Sequence, residues 1–428
     1  MNFGYRRQRR GGGGGIGDGH FDGVVRGGRV AHAQRAARFL HRMHRSIGVR
    51  TSLELPAILP QSRSFPFKFM SAVSELERAL DYPLADRLPP SGGTIEIAPG
   101  IKWLRMALPF ALNHINIWLL RDRLDGREGW TVVDTCIDRP ESRAGWTQAF
   151  AAELDGLPVL RVLVTHMHPD HVGLAHWLCE RWSAPGRECS LWMSAADYQA
   201  ARYACQIVSS FGGERLADYF RSHGMTDPGD LEQVRNRKSY YSNLVPALPL
   251  SYIRLMDGAR LTIGGRTWRC IAGYGHSTEH IALYCEQINV LISGDMVLPR
   301  ISTNVSVYEI EPEADALTLF LDSIDRFLPL PEDALVLPSH GKPFRGLHTR
   351  IGQLHEHHRD RLAEVMNMAR VKPVSGYDVL PVLFKRELDL HQTTFALGET
   401  VAHLHRLWYG GQLRRARDAD GIWRFGTI

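Results

Sequence analysis

Thr165-His166-Met167-His168-Pro169-Asp170-His171 follows directly on the apolar run Leu160-Arg161-Val162-Leu163-Val164. A short continuous run of this kind predicts a strand covered on both faces. Residues two apart in an extended segment point to the same side, so His166 and His168 can reach one common point. Asp170 and His171 come a step later, where the loop turns into the helical spacing of DHVGLAHWLCERW (170–182), and they can face a second point. Three imidazoles and one carboxylate within six residues are the nitrogen and oxygen donor set that borderline divalent ions such as Zn²⁺ prefer.

Three further candidates each stand just past an apolar strand. His276 follows RCIAGYG, Asp295 follows NVLISG and His340 follows ALVLPS. Each one taken singly reads as structural. Together they place donors at successive strand ends, on the edge of a sheet where sites are built. Two ions need a bridging carboxylate, and Asp295 is the one candidate of that kind.

The rest of the chain frames this centre. Its 428 residues are enough for two domains, and its 44% hydrophobic and 23% charged composition is that of an ordinary globular protein. No apolar run approaches the roughly 18–20 residues of a membrane helix. Six cysteines, with no CxxC pair, argue against a disulfide framework and against a Cys-rich zinc site, and they fit a reducing, cytoplasmic compartment. Residues 1–69 carry 13 basic and 3 acidic residues, a run of five glycines and no secretory pattern. They are expected to be a disordered leader or a non-native extension before Met70, or, in the alternative, an organelle transit peptide. Strands are expected from about residue 94, with 126–129 as a hairpin turn, then a mainly helical stretch near 195–245. A second set of strands follows between 252 and 294, then a helix at 313–327 and a last strand at 334–339. Residues 346–428 read as helices followed by two short strands around Asp420-Gly421, a winged-helix-like unit.

The HxHxDH motif (166–171), GHSTEH (275–280), SGD (293–295) and SHG (339–341) resemble the metallo-β-lactamase-fold hydrolase superfamily over residues 94–345. The resemblance implies a four-layer αβ/βα sandwich for a catalytic domain at 70–345, with a two-metal site between the sheets. It implies that His166, His168 and His276 hold one ion, that Asp170, His171 and His340 hold the other, and that Asp295 bridges. With Asp295 present, the chain is more similar to the glyoxalase II and nuclease branches than to true β-lactamases. The tail, from GKPFRGLHTRIGQLHEHHRDRL (341–362) through GETVAHLHRLWYGGQL (398–413), resembles the C-terminus of the mitochondrial β-lactamase-like endoribonuclease group. Two positions depart from the family pattern: Cys136 stands where Asp-Thr-Gly is usual, and Glu279 stands where the GHxxGH motif has glycine.

Two divalent ions, Zn²⁺ first and Fe or Mn as alternatives, would make a bridging hydroxide at neutral pH for attack on a carbonyl or phosphoryl centre. Asp170 is the candidate to orient that nucleophile or take its proton. His280 is expected just behind the ligands. Arg300, Ser302 and Asn304 are candidates to line the pocket, and Lys342 to meet an anionic substrate. The cluster His355, His357 and His358 is expected to be a polar helix face rather than another metal site. Residues 70–345 hold 26 basic and 34 acidic residues, and residues 346–428 hold 12 and 9. A phosphate backbone would be repelled by the first and drawn weakly by the second. The favoured function is therefore hydrolysis of a small thioester, ester or lactone, with a metal-dependent nuclease as the alternative.

Overall fold

The computed structural model describes residues 75–206, 212–237 and 240–428; the leader 1–69 lies outside them. Seven strands form the first sheet in sequential order: β1 (Thr94–Ala98), β2 (Ile101–Ala107), β3 (His114–Leu124), β4 (Arg127–Val133), β5 (Val159–Leu163), β6 (Ser190–Ser194) and β7 (Ile253–Leu255). β1 to β4 are antiparallel, and β4 to β7 run parallel. The second sheet has the order β12-β11-β10-β9-β8, made of β8 (Arg260–Ile263), β9 (Arg266–Gly273), β10 (His280–Cys285), β11 (Val290–Gly294) and β12 (Leu335–Pro338).

Side-chain alternation turns the two sheets into a layered stack. Along β3, Ile115, Ile117 and Leu119 pack outward under helices, while Trp118 and Leu120 point between the sheets. β9 to β12 repeat the pattern. Trp268, Cys270, Leu283, Ile292 and Leu337 face the inter-sheet core, and Ile271, Ala282, Leu291 and Val336 face the helices beyond. Period-two packing with both faces buried yields helix, sheet, sheet and helix layers, the αβ/βα sandwich. Trp103 and Trp118 stack at the centre, with ring centroids 6.1 Å apart.

Two local readings change. The β3–β4 turn is Asp125-Gly126, both with positive φ (50° and 77°), the pairing that a tight two-residue hairpin requires; Arg127–Gly129 already belongs to β4. β6 (SLWMS) carries too short an apolar signal to be read in advance, yet it pairs with β5 and extends the parallel part of the sheet.

The tail consists of helices Leu347–Val371, Gly376–Leu383 and Leu390–Tyr409, then the hairpin β13 (Leu413–Arg417) and β14 (Trp423–Thr427). Val365, Val379, Leu404, Leu413 and Phe425 build a small core of their own. The tail is also fused to the sandwich, because Leu354, Leu397 and Val401 join the core beneath the second sheet.

Candidate metal centre

Every candidate donor stands at one end of the sandwich, where strands stop. His166 and His168 follow β5, and Asp170 and His171 lie in the short helix Pro169–Val172. His276, Asp295 and His340 follow β9, β11 and β12. The donor atoms of His166, His168 and His276 lie within 4.8 Å of one another, as do those of His166, His171 and Asp295, and those of Asp170, His171 and His340.

The rings aim at shared points. His166 Nε2 is 2.8 Å from His168 Nδ1 and 3.1 Å from His276 Nε2. Asp295 faces both sides. Its Oδ2 is 3.4 Å from His276 Nε2, and its Oδ1 is 3.6 Å from His171 Nε2 and 3.5 Å from His340 Nε2. Asp170 Oδ2 is 3.4 Å from His340 Nε2 and 3.7 Å from His171 Nε2.

Outer partners fix the ring orientations, as metal-ligating histidines require. His276 Nδ1 donates to the Asn304 carbonyl (2.7 Å), His340 Nδ1 to the His114 carbonyl (2.7 Å) and His171 Nδ1 to Asp134 Oδ2 (2.8 Å). In a neutral ring each of these inward nitrogens is left as an acceptor, the form that binds a metal. His171 Nε2 and Asp295 Oδ1 are buried with no hydrogen-bond partner. Buried polar atoms are seldom orphaned, and orphans that converge on one point with a nitrogen and oxygen donor set are the arrangement a divalent ion completes. The residues present therefore fit a metal centre.

The electrostatics differ across the centre. Burial and the neighbouring imidazoles hold His166 and His168 well below the ordinary histidine range, so both are neutral. Burial also disfavours charge on His171, but Asp134, Asp170 and Asp295 outweigh it and lift its pKa well above the usual value. Burial opposes ionisation of Asp295 too, yet His340 and His171 keep its pKa well below the carboxylate range.

His280 sits directly behind the donors. It is buried, its ring lies 5.0 Å from that of His166, and its Nε2 accepts from the Asp295 backbone N–H (3.2 Å). Gly294, at φ +55°, keeps this contact open, because a Cβ there would stand 2.1 Å from His280 Nε2. Ser302 and Asn304 line the cavity at the centre. Arg300 and Lys342 do not. Arg300 lies 3.8 Å from Glu77, and Lys342 donates to Asp86 at 2.8 Å, so each cation is drawn to a carboxylate elsewhere. Glu279 lends its backbone N–H to Asp197 and is not among the cavity-lining residues. His355 pairs with Asp325 and His358 with His403, away from the centre.

Several supporting residues carry no signal of their own in the sequence. Asp197 accepts from Met167 N (2.9 Å), Glu279 N and Ser277 Oγ (3.3 Å), clamping the two donor loops together; burial pushes its pKa up to about 6. Asn116 Nδ2 donates to the carbonyls of Pro338 and Gly341, fixing the His340 loop to the first sheet. Asp134 was legible only as part of Asp-Thr-Cys. The Cys136 that follows has φ +77°, where glycine is easier, and its buried side chain contacts Ser142 Oγ at 3.4 Å.

The same end holds a cavity of ≈ 530 Å³ that reaches from the donors to the tail. Helix Leu390–Tyr409 packs on the loop after Asp295. Val307 N donates to the Gly398 carbonyl (3.1 Å), and Asn304 Nδ2 donates to Glu399 Oε2 (3.3 Å). A Cβ at Gly398 would come 2.9 Å from Ser306 Cβ, so the glycine permits this close approach.

Residues 112–368 match the family model described as the metallo-β-lactamase superfamily, and residues 362–428 match the metallo-β-lactamase-like C-terminal domain. Among curated proteins, the chain is 24% identical over 315 residues to the probable metallo-hydrolase YqjP of Bacillus subtilis, covering 70% of this chain and 90% of the relative. Among solved structures, a β-lactamase domain protein from Burkholderia ambifaria is similar at 54% identity and a TM-score of 0.78, covering 83% of this chain and 100% of that one. A metallo-β-lactamase family protein from Thermus thermophilus is similar at 25% identity and a TM-score of 0.62, with 78% and 100% covered.

Proposed function

The chain belongs to the metallo-β-lactamase superfamily and is a metal-dependent hydrolase, and on that premise we propose a dinuclear centre acting on a small thioester, ester or lactone. The observation that carries this reading is the placement of Asp295, with one oxygen toward His276 and the other toward His171 and His340. His166, His168 and His276 would hold one ion, Asp170, His171 and His340 the other, and Asp295 would serve both. The donor chemistry favours Zn²⁺. When bound, such a pair supplies a water acidified toward neutral pH and a clamp for developing negative charge.

The chain's own residues do the rest. His276, His340 and His171 are held in one orientation by Asn304, His114 and Asp134, so no rearrangement is needed as the substrate reacts. Asp170 lines the cavity and orients the attacking water or takes its proton. Support for a small substrate over a nucleic acid comes from the tail hairpin, which follows the three tail helices. Arg415 is sandwiched between Trp408 and Trp423, 3.9 and 4.2 Å from their ring centroids, and bonds Glu313 at 2.8 Å. That guanidinium is committed inside the protein rather than offered to phosphates, which leaves Arg414 and Arg417 as the exposed arginines of the strand.

The test is metal analysis of the replete protein together with turnover on a thioester, a lactone, a β-lactam, a phosphodiester and RNA. Two ions per chain and turnover of a thioester or lactone are expected, with weak salt dependence between about 50 and 200 mM. One ion in well-folded replete protein would sink the dinuclear reading. RNA cleavage losing roughly a thousandfold in affinity over that salt range would sink the small-substrate reading.

A further inference from the structure

The cavity has two chemically different ends. One carries the donors His168, Asp170, His276, Asp295 and His340. The other is walled by apolar side chains from three distant stretches of chain: Leu108 and Phe110, Leu298 and Ile301, and Leu388 and Phe395. A row of rings ties the first stretch to the tail across this wall. Phe110 and Tyr240 have centroids 6.3 Å apart, Tyr240 and His391 5.5 Å, and His391 and Phe395 5.1 Å.

Several polar side chains on the same wall are engaged with protein. Arg386 Nη1 donates to Gln392 Oε1 at 2.8 Å, Asn304 pairs with Glu399, and Asp389 caps helix Leu390–Tyr409 by accepting from Gln392 N. What this end offers a ligand is therefore mainly apolar surface beside the metal donors, with the exposed Arg386 guanidinium the one Lys or Arg among its lining residues.

We propose that this end of the cavity binds the extended apolar acyl group of the substrate, with Phe395 from the tail and Phe110 from the sandwich setting the preference for chains longer than acetyl. The inference deepens the thioester, ester or lactone reading and rests on it. Hydrolysis then balances without a co-reactant. Water gives its oxygen to the acyl carbon and a proton to the departing sulfur or oxygen as the carbon–sulfur or carbon–oxygen bond breaks.

Each methylene fully buried on such a wall is worth roughly fourfold in binding. The test pairs a binding measurement with turnover, using metal-loaded full-length protein. Acetohydroxamate and octanohydroxamate share a metal-binding head and differ in their tails. Calorimetry is expected to show octanohydroxamate binding at least about tenfold tighter. The ratio should shrink severalfold in Phe395→Ala and, independently, in Phe110→Ala, both with wild-type metal content. In parallel, kcat/KM on p-nitrophenyl esters should rise from acetate to octanoate. Equal affinity for the two hydroxamates, or no binding of either, would overturn the acyl site, and turnover of short esters alongside it would leave the hydrolase reading standing. Tighter octanohydroxamate binding without turnover of any thioester, ester or lactone would uphold the apolar site and reject the acyl-hydrolysis reading.

Discussion

The two sides of the donor cluster are built differently. On one side three imidazoles converge, and their backing partners are neutral: the Thr165 hydroxyl near His166 (3.0 Å) and the Asn304 carbonyl behind His276. On the other, His171 and His340 meet Asp170, and His171 is backed by the carboxylate of Asp134. The neutral side keeps its histidines deprotonated by burial, whereas the acidic side draws positive charge toward itself. A dication would thus be met by neutral nitrogens on one side and by compensating negative charge on the other, with Asp295 the one residue common to both.

That asymmetry can be broken at its hinge. Asp295→Ala is expected to lose at least one ion and most activity, on the order of a thousandfold, which is the scale of losing an electrostatic group at a reacting centre. Metal analysis alongside turnover checks it, and a variant that retains two ions would remove Asp295 from its shared role. A sharper cut separates the sides. His168→Ala should leave an ion on the acidic side, and Asp170→Ala one on the imidazole side, each visible as a single anomalous-scattering peak in a crystal. If either variant emptied both positions, the two sides would be one cooperative unit rather than two.

Smaller effects come from the backing groups. Asp134→Asn keeps the size of the side chain but removes the charge behind His171; metal affinity should fall about 10- to 100-fold, measured by competition with a chromogenic chelator. Wild-type affinity in this variant would show that the carboxylate only fills space. Glu399, behind Asn304 on the neutral side, gives the smallest effect. Burial raises its pKa from 4.5 to about 7. Between those values the folded protein holds a proton that the unfolded chain has released, so stability falls as pH rises through this window and the loss is complete above it. In metal-free protein, Glu399→Gln should flatten that decline by about 1–3 kcal/mol, read from urea unfolding at about pH 5 and 8. Parallel curves for the two proteins would place the carboxyl in water.

The candidate donors stood out in the sequence because most follow directly on an apolar run, and the end of a buried strand is where a polar side chain can turn inward at an edge. The alternation along β3 and β9 to β12 likewise marks the layers. The clamps did not stand out, since Asp197 and Asn116 lie in ordinary-looking stretches and act only once β6 and β3 are packed. The same holds for the cavity wall. Phe395 and Leu388 carry no signal of a site, and nothing in their spacing says that the tail helix abuts a loop some 90 residues earlier in the chain. Arg300 and Lys342 show the converse: nearness in sequence to a donor does not by itself place a residue in the cavity lining, and the two lie against Glu77 and Asp86.

The contact between Gly398 and Ser306 joins two parts of the chain with separate tasks. The donors all come from residues 166–340, while much of the wall opposite them comes from residues 384–399. On the proposed reading the tail shares in selectivity, beside Leu108, Phe110, Leu298 and Ile301, without supplying a donor. On that reading, substitutions at the cavity-facing residues of the tail would retune which molecule is accepted while every candidate donor stays in place, whereas Leu397 and Val401 of the same helix belong to the shared core.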